Sequence, residues 1–156
     1  MFMRFKYLVV KSILGLLLMF FINCSNNSAK HENDVIEHLT KASFKEKVDD
    51  YEIGGIWKYK GAQPCIIDFY ATWCGPCKRL APTMEGLSKK YEGKVKFYKV
   101  DVDEEKELAS AFGVESIPTI YFCPLNGKPV IEYGDLPEDN IVALINSTFK
   151  QLTIKN

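Results

Sequence analysis

Pro64-Cys65-Ile66-Ile67-Asp68-Phe69-Tyr70-Ala71 runs without a break into Thr72-Trp73-Cys74-Gly75-Pro76-Cys77-Lys78. The first half is a continuous apolar run interrupted only by Asp68, the pattern of a strand covered on both faces. The second half changes character at once. Pro76 suits the first turn of a helix, where no backbone N–H is needed, and helical periodicity continues to Tyr91, with Gly93 in the position of a C-terminal cap. A buried strand therefore turns into a helix, with two cysteines three residues apart at the turn. That spacing puts their sulfurs within bonding reach.

Cys74 falls at the helix N-terminus, where unpaired N–H groups and the positive end of the helix dipole stabilise a thiolate. It is the expected nucleophile, with an exposed sulfur. Cys77, one turn in, is expected to be more buried and to resolve a mixed disulfide. A zinc site is disfavoured, because no second Cys-x-x-Cys exists and His31 and His38 lie in or near a polar tether and the first strand. An inert bridge across so short a loop would constrain the unfolded chain little.

Outward from this turn the chain alternates. Residues 35–39 read as a strand, and Ser43 to Glu46 has capping-box spacing for a helix. Residues 51–63 carry Gly54, Gly55 and Gly61 among Trp57 and Tyr59, an irregular segment without a readable role. Downstream come a strand at 95–102, a helix at 104–112 closed by Gly113, and a strand at 119–122. A hairpin turn at 125–128 leads to a strand at 130–133, and a last helix spans about 137–152, with Ile141, Leu144, Ile145, Phe149 and Leu152 on one stripe. The order βαβαβαββα predicts an α/β fold, a mixed sheet flanked by helices.

The 156 residues suffice for one domain, and 47% hydrophobic with 26% charged residues excludes a disordered chain or a polytopic membrane protein. Twenty basic against twenty acidic residues give no net charge, against a nucleic-acid partner. Residues 1–23 read as an export signal: Arg4, Lys6 and Lys11 precede an apolar run at 12–22. About ten apolar residues make a helix of roughly 15 Å, half of the ~30 Å hydrocarbon core, which disfavours a retained anchor. Without residues 1–23, which hold three basic residues and no acidic one, the net charge becomes −3. Phe21-Ile22-Asn23-Cys24 resembles the lipobox of bacterial lipoproteins, although Leu is usual at the position of Phe21 and a small residue at that of Asn23. The resemblance implies lipid attachment at Cys24; ordinary cleavage near Ala29 is the alternative. Residues 24–34 read as a tether and 35–156 as the folded domain.

The stretch from Asp68 through Trp73-Cys74-Gly75-Pro76-Cys77 to Pro82 closely resembles the active-site signature of thioredoxins, for which the helix-end thiolate is the reference case. Ser116-Ile117-Pro118-Thr119 resembles that family's cis-proline loop, and His38-Leu39-Thr40 with Ser43-Phe44 resembles its opening, so the likeness runs over about residues 35–149. It implies the thioredoxin fold and a protein-disulfide reductase needing no cofactor and no metal. Asp68 would be the buried carboxylate that moves a proton to and from Cys77, modulated by Lys99 on the next strand unless that lysine is simply solvated. Pro82 would kink the long helix. Trp73, Gly75, Pro76, Ile117, Pro118, Gly134 and Tyr133 would form a shallow groove for an extended substrate segment.

Protein disulfides are then the substrates and a separate protein, expected in the membrane, is the electron donor, with the chain working as a monomer in the periplasm or anchored through Cys24. A reductant for cytochrome c maturation, an envelope oxidant or isomerase, and a non-catalytic binding module are the rival readings. Tyr70 stands where the family usually has Trp, and residues 51–63 are longer than usual. Cys65 and Cys123 are additional; the implied topology makes their strands neighbours, and two buried free thiols are favoured over a second disulfide.

Overall fold

The stretch from Cys65 forms a strand with water on neither face, and the rest of the domain is arranged around it. A computed structural model describes residues 36–52 and 56–150. The export signal, Cys24, the tether and Leu152 lie outside the described residues. In chain order the elements are β1 (Glu37–His38), α1 (Lys41–Lys47), β2 (Cys65–Tyr70), α2 (Gly75–Lys90), β3 (Lys96–Asp101), α3 (Lys106–Ala111), β4 (Thr119–Cys123), β5 (Val130–Tyr133) and α4 (Glu138–Thr148). The expected order holds throughout.

The strands lie in the order β1-β3-β2-β4-β5. β2 is parallel to β3 and antiparallel to β4, with Asp68 opposite Lys99 on one side and Ile120 on the other. Because side chains alternate along a strand, β2 serves two cores. Ile66 packs with Leu80, Met84 and Leu87 of α2 and Ile141 and Ile145 of α4. Cys65, Ile67 and Phe69 pack with Phe44 of α1 and Leu108 of α3. This is a sheet between two helical layers.

Local boundaries differ from expectation where side chains cap. Helix α1 opens at Lys41, and Thr40 is its cap: Thr40 Oγ1 accepts the Ser43 N–H at 3.2 Å while Ser43 Oγ accepts the Thr40 N–H at 2.9 Å. The capping box is thus Thr40 with Ser43, and the Ser43-to-Glu46 spacing is fortuitous. The first strand is shorter than 35–39, although the Leu39 N–H still donates to the Lys99 carbonyl at 2.8 Å. Helix α4 stops at Thr148, and Leu144 is only partly buried. Pro82 lies inside the continuous α2, and Gly93 beyond it takes a left-handed φ of 74°.

The segment at 51–63 acquires a role in its described part. Tyr51, Trp57 and Tyr59 pack against the second core. The rings of Phe44, Tyr51, Trp57, Phe69 and Tyr121 all meet Phe112, with centroids 4.8 to 6.2 Å apart. Pairs of this kind contribute about 0.5–1.5 kcal/mol each beyond area burial. Trp57 stacks on Tyr59 with planes 1° apart, and Tyr59 Oη donates to the Gln63 carbonyl. Gly61 lies directly against the Tyr59 ring, so a Cβ there would overlap Tyr59 Oη and Cζ.

Gly61→Ala should therefore expel the Tyr59 ring from its site and cost about 1–3 kcal/mol, measured by urea unfolding. An unchanged midpoint would show that the ring is not held there.

Candidate active site

Cys74 sits at the cap position of α2 with extended backbone (φ −73°, ψ 111°). Its sulfur does what a serine oxygen does at other helix starts: Cys74 Sγ accepts the Cys77 N–H at 3.1 Å. The Cys74 N–H is in turn held by the Ala71 carbonyl at 3.2 Å, so the end of β2 fixes the start of α2. Cys74 and Cys77 are joined as a disulfide with Cα atoms 5.3 Å apart. Gly75 and Pro76 fill the first helical turn, whose donors need no intrahelical partner.

One expectation is corrected here. Cys74 is not the exposed member of the pair, since both cysteines are 3% exposed. The reason is tertiary: Ala71, Tyr70, Val102 and Ile117 pack around the two sulfurs, and the Ile117 carbonyl oxygen lies 3.9 Å from Cys74 Sγ. What distinguishes Cys74 is its place at the helix end, not its exposure.

The residues expected around the pair are brought together. The Ile117-Pro118 bond is cis, and the Pro118 carbonyl accepts the Gly134 N–H at 2.9 Å. Gly134 has φ 84°, a left-handed conformation that favours glycine, and among the described residues a Cβ there would meet no atom within 4 Å beyond its chain neighbours. Trp73 is 67% exposed and Tyr133 58%. Large exposed aromatics beside a disulfide and an empty-sided glycine describe an open apolar surface.

Two polar contacts at its margins were not foreseen. Trp73 Nε1 donates to Asp103 Oδ2 at 2.7 Å, and the Asp103 N–H donates to Asp101 Oδ1 at 2.9 Å. Arg79 Nε pairs with Asp135 Oδ2 at 2.7 Å, while Arg79 Nη1 lies 4.0 Å from where a Cβ on Gly75 would stand. The Trp73–Asp103 and Arg79–Asp135 contacts each join residues far apart in sequence, and an isolated Asp in a loop carries no periodic signal.

Asp68 is 2% exposed on β2, and among the described residues its Oδ1 has no hydrogen-bond partner. Burial pushes its carboxyl up to about 7, and the charge of Lys99 opposes this without cancelling it. Lys99 is not a solvated surface lysine, because it is 8% exposed. Its Nζ lies 5.7 Å from the centroid of the Tyr70 ring, within the range of cation–π attraction. Tyr70 Oη is 3.2 Å from His38 Nδ1 on β1, across β3 in the same sheet, a contact that tryptophan's indole could not reproduce with a hydroxyl. The substitution at position 70 thus brings a second titratable ring to the polar end of the sheet.

The pKa of Asp68 makes a stability prediction. Between the ordinary carboxylate range and about 7 the folded chain retains a proton that the unfolded chain releases. Stability is fully present below the unfolded pKa and falls as pH rises through 7. Asp68→Asn cannot ionise, so it should exceed the wild type at pH 8 by up to about 4 kcal/mol and match it more closely at pH 4. Urea denaturation at both pH values checks this, and equal midpoints at pH 8 would contradict it.

Comparison with known proteins agrees with this geometry. A family model described as Thioredoxin matches residues 35–147. A thioredoxin of Borreliella burgdorferi is 51% identical over 111 residues, covering 71% of this chain and 95% of that protein. One of Staphylococcus aureus is 38% identical over 112 residues, covering 71% and 95%. The crystal structure of chloroplastic thioredoxin z superposes with a TM-score of 0.61 at 27% identity, covering 72% of this chain and 93% of that one.

Proposed function

This chain belongs to the thioredoxin family and is a disulfide oxidoreductase acting on protein disulfides, and we propose that it works through the Cys74/Cys77 dithiol as a reductase in the bacterial envelope. The observation that carries the proposal is the cap geometry of α2, where Cys74 Sγ accepts the Cys77 N–H. An acceptor that already takes a hydrogen bond as a sulfur in a disulfide takes a stronger one as an anion. In the reduced protein Cys74 is the thiolate.

The Cys74 thiolate attacks one sulfur of a substrate disulfide, forming a mixed disulfide and releasing the other substrate sulfur as a thiolate. Cys77, three residues on, then loses its proton and attacks Cys74 Sγ. The Cys74–Cys77 bond forms, the mixed disulfide breaks, and the second substrate thiolate leaves. Asp68 receives the Cys77 proton, and Lys99 keeps the carboxyl from being held protonated still more firmly. A group titrating near 7 is matched to that exchange at neutral pH. Ile117 offers its backbone to an extended substrate segment, and Trp73, Gly75, Pro76, Pro118, Gly134 and Tyr133 supply its shallow bed.

The envelope assignment draws on the basic and apolar run of residues 1–22 and on Cys24 directly after it. In this reading residues 1–23 are removed and Cys24 carries the lipid. The electrons return from a separate membrane protein. Among the described residues no helix is long and apolar enough to cross a membrane.

Reduction of insulin by dithiothreitol should be accelerated by the wild type and fall to the uncatalysed rate in Cys74→Ser. Cys77→Ser should instead accumulate mixed disulfides with substrate proteins, visible on non-reducing gels. Full activity in Cys74→Ser would refute the assignment of the nucleophile. In the bacterial cell, Cys24→Ala should move the protein from the membrane fraction to the soluble one; retention in the membrane would count against lipid anchorage.

A further inference from the structure

Two cysteines among the described residues take no part in that chemistry. Cys65 and Cys123 are direct partners across the antiparallel pair β2 and β4, both wholly buried and both free thiols. Directly opposed residues in such a pair have Cα atoms about 4.5–5.5 Å apart, inside the ~4.4–6.8 Å span of disulfides. Register partners also share a face of the sheet, and both belong to the cluster with Ile67, Phe69 and Tyr121. The spacing and the side-chain direction that a disulfide needs are therefore already present.

We propose that Cys65 and Cys123 are a second disulfide site, a covalent staple between β2 and β4 that closes by exchange with a protein or low-molecular-weight disulfide as the chain folds. One thiol of the pair, as its thiolate, attacks the external disulfide and releases one external thiol. The other then displaces the second external thiol, so the pair loses two electrons and two protons and two external thiols are formed.

Position separates this site from the first. Cys65 opens β2 and the redox pair follows its far end, five strand steps of about 3.3 Å, or ~17 Å, plus the turn. Cys65 cannot reach Cys74 within one molecule. Burial separates the two sites in reactivity. In the folded chain burial, and then a hydrogen bond with Cys65, push the Cys123 thiol well above its ordinary range, which keeps it protonated and inert. Trp57 and Tyr59 pack against the same cluster. Closure thus belongs to folding, before those rings pack, and the closed bond is afterwards shielded from reductant while Cys74 and Cys77 turn over.

The staple has a mechanical consequence. The far end of β2 leads to Cys74, and β4 begins directly after Pro118. Tying the other ends of these two strands fixes the register between the two halves of the active site.

In the test, the full chain is refolded from denaturant in mixed reduced and oxidised glutathione, then treated with dilute dithiothreitol to open Cys74–Cys77. It is blocked with N-ethylmaleimide in denaturant, digested and mapped by mass spectrometry. The expected map has N-ethylmaleimide on Cys74 and Cys77 and a cross-linked peptide joining Cys65 to Cys123. N-ethylmaleimide on both Cys65 and Cys123 overturns the proposal. After the same dilute dithiothreitol step has opened Cys74–Cys77, the oxidatively refolded wild type should keep a higher thermal midpoint than the fully reduced wild type, with no such difference in Cys123→Ala; an equal difference in the variant would overturn it too. Neither readout requires turnover, so both stand apart from the fate of the Cys74 mechanism.

Discussion

β2 is hydrogen-bonded to β3 along one edge and to β4 along the other, and helices cover both of its faces, so five of its six residues are buried. Everything functional in the domain hangs from that confinement. A strand held on four sides delivers its last residues to a single place, and the Ala71 carbonyl holds the Cys74 N–H there. The start of α2 inherits that position, and with it the cap geometry that aims a backbone N–H at the Cys74 sulfur. Catalytic placement is here a by-product of sheet packing.

The same confinement makes Asp68 costly. A carboxylate inside an apolar strand loses its hydration, and one cation on the adjacent strand does not replace it. Burial outweighs Lys99, and the carboxyl titrates near 7 instead of in the ordinary acidic range. The penalty tunes the group: a carboxylate left in solvent would be too weak a base to take a proton from a thiol near neutrality, and burial makes Asp68 a stronger one. Lys99 is buried in its turn and lies over Tyr70, which meets His38. A short polar band therefore crosses β1, β3 and β2 at the active-site end, while at the opposite end of β2 the Cys65 thiol faces Cys123 of β4.

Several parts of this were legible residue by residue. The switch from an unbroken apolar run to helical periodicity located β2 and α2, because burial on both faces and burial on one face leave different sequence periods. The two active-site cysteines are covalent near-neighbours, so their proximity followed from helical geometry alone. Capping was less legible: both Thr40 and Ser43 are competent, and the choice depended on which one took extended backbone. The aromatic segment at 51–63 gave no reading at all. Its rings gain meaning from the second core they pack against, Phe44 and Phe112 included, which comes from other parts of the chain.

Taken by itself, the order of residues determined the succession of strands and helices, the dithiol at a helix start, the carboxyl within a buried strand and the likeness that implied a cis-proline opposite the pair. These are local properties, set within a turn or two by backbone sterics, hydrogen bonding and hydrophobic period. Tertiary structure alone decided that Cys74 is as buried as Cys77, that Trp73 is held by Asp103 and Arg79 by Asp135, that Lys99 is buried instead of solvated, and that Cys65 stands opposite Cys123 in register. Each of those depends on which segments meet across the sheet, and the free energy that selects the meeting is spread over whole faces of apolar surface, not written in any one stretch of chain.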